Sequence, residues 1–535
     1  MGQQIIILRE GTEESGKRNA LKANVNAIMA VSESIKSTYG PKGMDKMIVE
    51  SLGDIKITND GFTILDSIDI ENASAKMAVD LSKVQNEKMG DGTTSVVIFA
   101  GDLLRRALEL IERGVHPSII IKGFNLALKR TLKEFEEIGR DISEDDEKSL
   151  INIVKTTLNT KSITGLNEYF AKIVLGAVKI IKEEGDIFTK VENIGIVKEK
   201  GKSLQESELI NGIYIQKEKI NVGMPDIIND AKIAVIKKSL EVKKTEFGAE
   251  IQIYKPEDIQ KFINQEVEFM KGYAETFSNL GVNLVINENS IDDKVADYLS
   301  EAGIAAIKSV KSSDVKAIVK ATGAKKLEKI DDLTEDDLGF AGRVEFTKLG
   351  ENDYCFITKC KNPKAATLLL RGGLEHSINE AEIAVKSAIK VLAKLLDTKK
   401  IVGGGGAFEM ELAKRIRDFA INAGGKEQIA IQVYADAIEE LPKTLVRNAG
   451  MDEINVIGEL SAAHAKLGNE FIGIDISDGK IGDNFKKGII EPAAIKSQLF
   501  KGATELAILI LRIDNIISSK KMEGPGAGGM PPGGM

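Results

Sequence analysis

At 535 residues, with 43% hydrophobic and 29% charged residues, the chain has a globular balance and enough length for three or four lobes rather than one core. A net charge of −8, with basic residues scattered among acids, argues against a nucleic-acid surface, and no run of about 18 apolar residues marks a membrane span. Two cysteines and three histidines leave little for a disulfide framework or a metal cluster, and the amino-terminal stretch lacks the basic region and small-residue site of a secretory leader, so a cytoplasmic location is expected.

The first feature along the chain is the glycine-bounded turn in TYGPKGMDKM, Thr38 to Met47. The string TNDG, Thr58 to Gly61, then places Asp60 exposed at a second turn. Helical text runs from Ala75 to Gly139, and within it GDGTTSVVIFAGDLL, Gly90 to Leu104, sets two glycines, an aspartate and two threonines before an apolar, helix-compatible run. Glycines let a backbone approach an anion closely, and amides at the start of a helix point at that anion with a favourable dipole. Asp91 would then hold magnesium through its carboxylate, with Thr93 and Thr94 offering hydroxyls to phosphate oxygens. An ordinary Asp-Gly turn capped into a helix accounts for this string alone equally well.

After Pro117, the spacing of Phe124, Leu128, Leu132 and Phe135 predicts a buried helical stripe. Residues 214–365 change to short β-prone runs, Ala231–Ile236, Val282–Ile286 and Gly303–Ile307, alternating with helical segments, which is the pattern of an α/β domain. Inside it, Pro256 suits a first helical turn, and Ile259, Phe262, Ile263, Val267 and Met270 form an apolar stripe. That stripe fits a helix packed on its own domain or one that projects to meet neighbours and clients. Cys355 and Cys360 read as structural or incidental, and His116, His376 and His464 have no recognisable nucleophile context. After Gly403 the helical register returns, GGGGAFEMEL opening a helix with Gly403 to Gly406, so the middle is an insertion between two helical halves. The tail MEGPGAGGMPPGGM has no packable pattern and is expected to be disordered. No G-x-x-x-x-G-K-[ST] string supplies a Walker lysine.

The strings STYGPKGMDKM, TNDGFTIL, GDGTTSVV, GGGGAFEMEL, LPKTLVRNAGMD and GIIEPAAIKSQ, in this order over essentially the whole length, resemble a group II chaperonin, the family of archaeal thermosome subunits and the eukaryotic cytosolic chaperonin. The resemblance implies a multidomain α and α/β fold. A mostly helical equatorial ATP-binding domain would span 1–145 plus 405–523, with a small α/β hinge domain at 146–213 plus 366–404. An α/β apical domain at 214–365 would carry a lid protrusion at about 240–274, and 524–535 would be the Gly/Met tail.

The resemblance also implies ATP and Mg2+ as ligands and non-native polypeptides as clients, with paralogous subunits joined in an eight- or nine-fold double ring. Nucleotide contacts fall on Thr38, Gly40, Pro41, Gly90, Gly92, Thr93, Thr94, Ser95, Gly405 and Glu491, the last near the ribose, with Asp91 on magnesium. Lys161, in NTKSI, matches a hinge lysine that senses the terminal phosphate. Hydrolysis in the family uses two carboxylates, one here at Asp60 and one in the hinge helix AEIAVKSAIKVLAKLL. At that second position this chain has Ser387, preceded by Lys386 where the family reads another acid.

A serine hydroxyl is no proton acceptor near neutral pH, and general-base assistance is worth about a hundredfold to ten-thousandfold. Glu382, five positions back, points about 140° away around the helix and is a poor stand-in. The expectation is a subunit that binds ATP but hydrolyses it slowly. Two other classes stay open: a metabolic ATPase or kinase with an α/β substrate domain, and a ring subunit that serves structure without hydrolysis.

Overall fold

A computed structural model describes residues 12–519, apart from residues 16, 51–52, 162, 164, 183–184, 242–255, 350–351, 361–363 and 467. The tail 524–535 and much of the first half of the expected protrusion therefore lie outside the described residues. The chain divides into two compact units, parted between Asp141 and Ile142 and again between Lys399 and Lys400.

The first unit begins with β1 (Thr12–Ser15), α1 (Lys17–Lys36) and the antiparallel hairpin β2 (Lys46–Val49) and β3 (Ile55–Thr58). Next come α2 (Gly61–Asp66), α3 (Ala73–Met89), α4 (Thr93–Glu112), α5 (Pro117–Ile138) and β4 (Arg140–Asp141). Side chains start three of these helices: Asp60 accepts the Thr63 amide, Asn72 those of Ser74 and Ala75, and His116 that of Ser118, each satisfying otherwise unpaired donors. α4 is the centre of the unit, buried continuously from Ser95 to Leu104.

On α5 the buried line runs Phe124, Ala127, Thr131, Phe135, while Leu128 and Leu132 sit at its margin. The expected stripe is turned slightly because α5 meets a later helix at Gly123, where an added Cβ would lie 2.5 Å from the Ala430 Cβ. Small residues on that line let the two backbones approach.

The second unit opens with α6 (Glu147–Leu158) and α7 (Asn167–Ile181), then β5 (Ile194–Lys200), β6 (Glu208–Ile210), β7 (Gly212–Ile215), β8 (Ile227–Ile236) and α8 (Pro256–Asn279). It continues through β9 (Leu284–Asn287), α9 (Asp293–Glu301), β10 (Ala305–Ile307), α10 (Ser312–Thr322) and β11 (Lys326–Leu327). It ends with β12 (Gly339–Leu349), β13 (Asn352–Thr358), β14 (Ala366–Gly372) and α11 (Glu375–Thr398). One sheet has the order β10-β9-β8-β12-β13-β7, with β11 beside β8; β8, β9 and β10 are parallel and the rest of that path is antiparallel. The parallel trio coincides with the three β-prone runs, whose near-continuous apolar character suits strands covered on both faces. β5-β14-β6 form a second, three-stranded sheet.

The carboxyl-terminal half of α8 packs inward through Met270, Ala274 and Phe277. The side chains of Ile259, Phe262 and Ile263 lie outside the described residues. Cys355 and Cys360 are free and buried, and burial pushes both thiols up, Cys360 to about 11, which leaves them unreactive.

The first unit resumes with β15 (Lys400–Gly403), α12 (Ala407–Ala423), α13 (Glu427–Asn448), α14 (Glu453–His464), β16 (Ile472–Asp475) and β17 (Lys480–Asp483). α15 (Asn484–Lys487), β18 (Ile490–Pro492), α16 (Ala493–Arg512) and β19 (Ile516–Ser519) complete it, β19 pairing with β1. Both ends of the sequence fill one core: Phe99 of α4 meets Tyr434 of α13 and Phe500 of α16 edge-on, with ring centroids 5.4 and 5.0 Å apart. Among the described residues no helix is long and apolar enough to cross a membrane.

Candidate nucleotide site

α3 ends on Gly90 at φ 77° and α4 begins on Gly92 at φ 80°, so two left-handed residues flank Asp91. Only glycine takes that backbone without strain. The Gly92 amide donates to Asp91 Oδ1 at 2.7 Å, which fixes the carboxylate against its own loop. Gln85 Nε2 donates to the carbonyls of Asp91 (3.0 Å) and Ile495 (3.2 Å), tying the loop to α16. Unlike α2, α3 and α5, α4 has no side-chain cap, and its first-turn residues Thr93 and Ser95 are buried. A helix start of this kind presents its amides and positive dipole end to an anion.

Asp60 is not exposed at a turn as the sequence suggests; it is 5% exposed. Its Oδ2 accepts both the Thr63 amide and the Thr63 hydroxyl at 2.9 Å, so the carboxylate is oriented by capping α2. The next residue explains the burial. A Cβ on Gly61 would lie 3.0 Å from the Thr94 backbone nitrogen and collide with the Thr94 hydroxyl, so the bare glycine lets α2 begin against the first turn of α4.

Thr38 is buried and its hydroxyl donates to the Ile35 carbonyl at 2.8 Å, closing α1. Gly40 is left-handed at φ 89°, and the Gly43 amide donates to its carbonyl at 2.9 Å, closing the turn around Pro41. Asn448 Nδ2 anchors this turn to α13 by donating to the Lys36 and Tyr39 carbonyls, both at 2.8 Å.

From the far end of the sequence, α12 starts on left-handed Gly406, again without a side-chain cap, and Gly405 is held by an Ile474 amide that donates to its carbonyl at 2.8 Å. Asn484 Nδ2 donates to the Gly404 carbonyl at 2.8 Å. Beside them, buried Lys496 pairs with Glu409 and, at 3.1 Å, with Glu491. Burial pushes the Glu491 carboxyl up against the pull of Lys496, with Glu409 and Asp91 adding to the rise. Burial also raises the Tyr39 phenol, helped by Glu409, Glu491 and Asp91. Burial alone lowers the Lys496 ammonium, but Glu409 and Glu491 outweigh it and hold it well above its ordinary value. Asp91 and Glu491, from opposite halves of the sequence, therefore share one electrostatic neighbourhood.

The remaining two candidates lie in the second unit. Lys161 follows α6 and is partly buried; Ser387 is buried on α11. Glu382 is bound by Lys386 at 2.6 Å and Lys198 at 2.9 Å. Burial raises its carboxyl, and the two lysines more than offset this. Its charge is thus committed to these two lysines. Among the described residues no three His, Cys, Asp or Glu side chains converge into a metal-binding group.

The profile of the TCP-1/cpn60 chaperonin family matches residues 31–521. The chain belongs to this family. It is 44% identical over 524 residues to a thermosome subunit of Pyrococcus horikoshii, covering 98% of this chain and 95% of that one. Archaeoglobus fulgidus has two relatives: a thermosome subunit beta, 43% identical over 536 residues (99% and 98% covered), and a thermosome subunit alpha, 42% identical over 524 residues (98% and 96% covered).

Sequence reasoning about this chaperonin subunit missed Gln85, Tyr39, Glu409 and Lys496. Lys496 stood in the string GIIEPAAIKSQ and Glu409 in GGGGAFEMEL. A lone charge on an otherwise apolar helix face was the available signal in each case. Their pairing across 87 positions was not visible.

Proposed function

We propose that this chain is a cytoplasmic, double-ring group II chaperonin subunit that binds Mg-ATP, hydrolyses it slowly, and assists non-native polypeptides in rings shared with paralogous subunits. The observation that carries the reading is the uncapped start of α4, set between left-handed glycines, with Asp91 in the loop and Asp60 capping the helix that abuts it. The first amides of α4, with the hydroxyls of Thr93, Thr94 and Ser95, take phosphate oxygens. Asp91 would hold magnesium together with those oxygens, the usual arrangement for an ion that binds through one or two carboxylates plus phosphates. Bound magnesium neutralises phosphate charge and orients the terminal phosphate.

Asp60, fixed by Thr63, would orient a water. Lys161 and Ser387 stand at the positions to which the family resemblance gives a phosphate-sensing lysine and the second carboxylate. The division of the second unit into a hinge around α6, α7 and α11 and an apical part around the larger sheet belongs to the same reading, as does a lid formed around α8. The alpha and beta relatives from one archaeon support mixed rings. Steady-state turnover of the intact assembly tests the proposal. Ser387→Asp raises the rate about a hundredfold or more, and Ser387→Ala leaves it unchanged. A native rate equal to that of Ser387→Asp contradicts it.

A further inference from the structure

Gln85 lies in the last turns of α3, packed against the Asp91 loop, and is 1% exposed. Its side-chain nitrogen carries two hydrogens, and both are used: one goes to the Asp91 carbonyl at 3.0 Å, the other to the Ile495 carbonyl, 410 positions along the chain, at 3.2 Å. The fit is close. A Cβ on Gly92 would lie 2.9 Å from this nitrogen and 3.2 Å from the Ile495 side chain. Three residues earlier, on the same helix face, Ser82 is buried and donates its hydroxyl to the Thr93 carbonyl at 3.2 Å. Ser95 Oγ donates to the Gly92 carbonyl at 3.2 Å. Three successive carbonyls, those of Asp91, Gly92 and Thr93, are thus each engaged by a side chain.

In a planar trans peptide the carbonyl and the amide that follows it point opposite ways. Fixing these carbonyls therefore fixes the directions of the Gly92, Thr93 and Thr94 amides, the donors an anion meets at a helix start. On the amide side, the Gly92 N–H already meets the Asp91 carboxylate. Gln85 and Ser82 do this through the backbone, with no contact to a ligand required of either. A loop ordered before binding loses less freedom when the ligand arrives, and the difference appears as affinity.

We infer that Gln85, assisted by Ser82, is a positioning residue that holds the Gly92, Thr93 and Thr94 amides in their anion-binding orientation and locks their loop to the first turn of α16. The inference rests on the nucleotide reading above. Calorimetric titration of the intact assembly with Mg-ADP tests it. Gln85→Met keeps the bulk and removes both donors, and the affinity falls by about tenfold at every pH. Gln85→Glu adds a pH profile. Its ionised carboxylate offers the two carbonyls no hydrogen, whereas its protonated form donates one, and burial keeps it protonated above the usual carboxylate range.

Relative to the native assembly at the same pH, Gln85→Glu binds Mg-ADP about tenfold more weakly near pH 8.5 and recovers toward about pH 6. A merely structural role lowers the melting temperature of both variants but leaves the folded assemblies with native affinity, which overturns the inference. So does a Gln85→Glu deficit that does not change with pH. Ser82→Ala removes one hydroxyl from a helix interior that suits alanine, so it gives the answer where the Gln85 variants fail to fold: a loss of about threefold is expected, and native affinity overturns the inference. Failure of the native assembly to bind Mg-ADP overturns the nucleotide reading itself.

Discussion

Glu411 is 4% exposed yet held ionised, with its carboxyl at about 2. Burial raises it, and hydrogen bonds from His464 and Arg415 outweigh that cost. His464 Nδ1 lies 3.0 Å from Glu411 Oε2 while Nε2–H donates to the Ile472 carbonyl at 2.8 Å, so the ring ties α12 to β16, the strand whose Ile474 amide holds Gly405. A depressed folded value stabilises above the unfolded one, and the gain is lost as pH falls through the folded one. Glu411→Gln is therefore expected to cost about 3 kcal/mol near pH 7, with the difference from the native chain shrinking below pH 4.5 and vanishing toward pH 2. Denaturant midpoints across that range check it; a difference that stays constant to pH 3 contradicts the assignment. Asp60 carries a related lesson: its residue type and turn context were legible, but its burial depended on Gly61 meeting Thr94, a contact between helices that no local string records.

At the scale of elements, the β2–β3 hairpin exposes an apolar ladder. Its register sets Met47 opposite Ile57 and Val49 opposite Ile55, and all four are exposed, Met47 and Val49 by 65% each, while Ile48 packs on the core from the other face. An apolar ladder on a two-stranded ribbon invites coverage by another chain. On the ring assembly proposed above, a neighbouring subunit would cover it. Met47→Glu with Ile57→Glu is expected to convert a large assembly to single subunits in sedimentation velocity, while circular dichroism stays native; an unchanged sedimentation coefficient contradicts the assignment. The parallel trio β8, β9 and β10 and the helix from Pro256 were legible because each carries its own periodicity. The inward face of α5 was misjudged by a fraction of a turn, because close approach at Gly123, not side-chain size, sets which residues face the core.

At the scale of the whole molecule, the two halves of the first unit share one core, and the Asp91 loop and Glu491 draw on both of them. The glycines were readable because left-handed turns beside a helix start demand glycine at short spacing. The Lys496–Glu409 and His464–Glu411 pairs were not, since their partners lie 87 and 53 positions apart. The central proposal is a site that holds nucleotide in a chain with Ser387 where the family resemblance places an acid. Calorimetric titration of the intact assembly with ATP at millimolar magnesium tests that claim most directly. Saturable heat with one nucleotide per chain is the expected result; no heat of binding contradicts it.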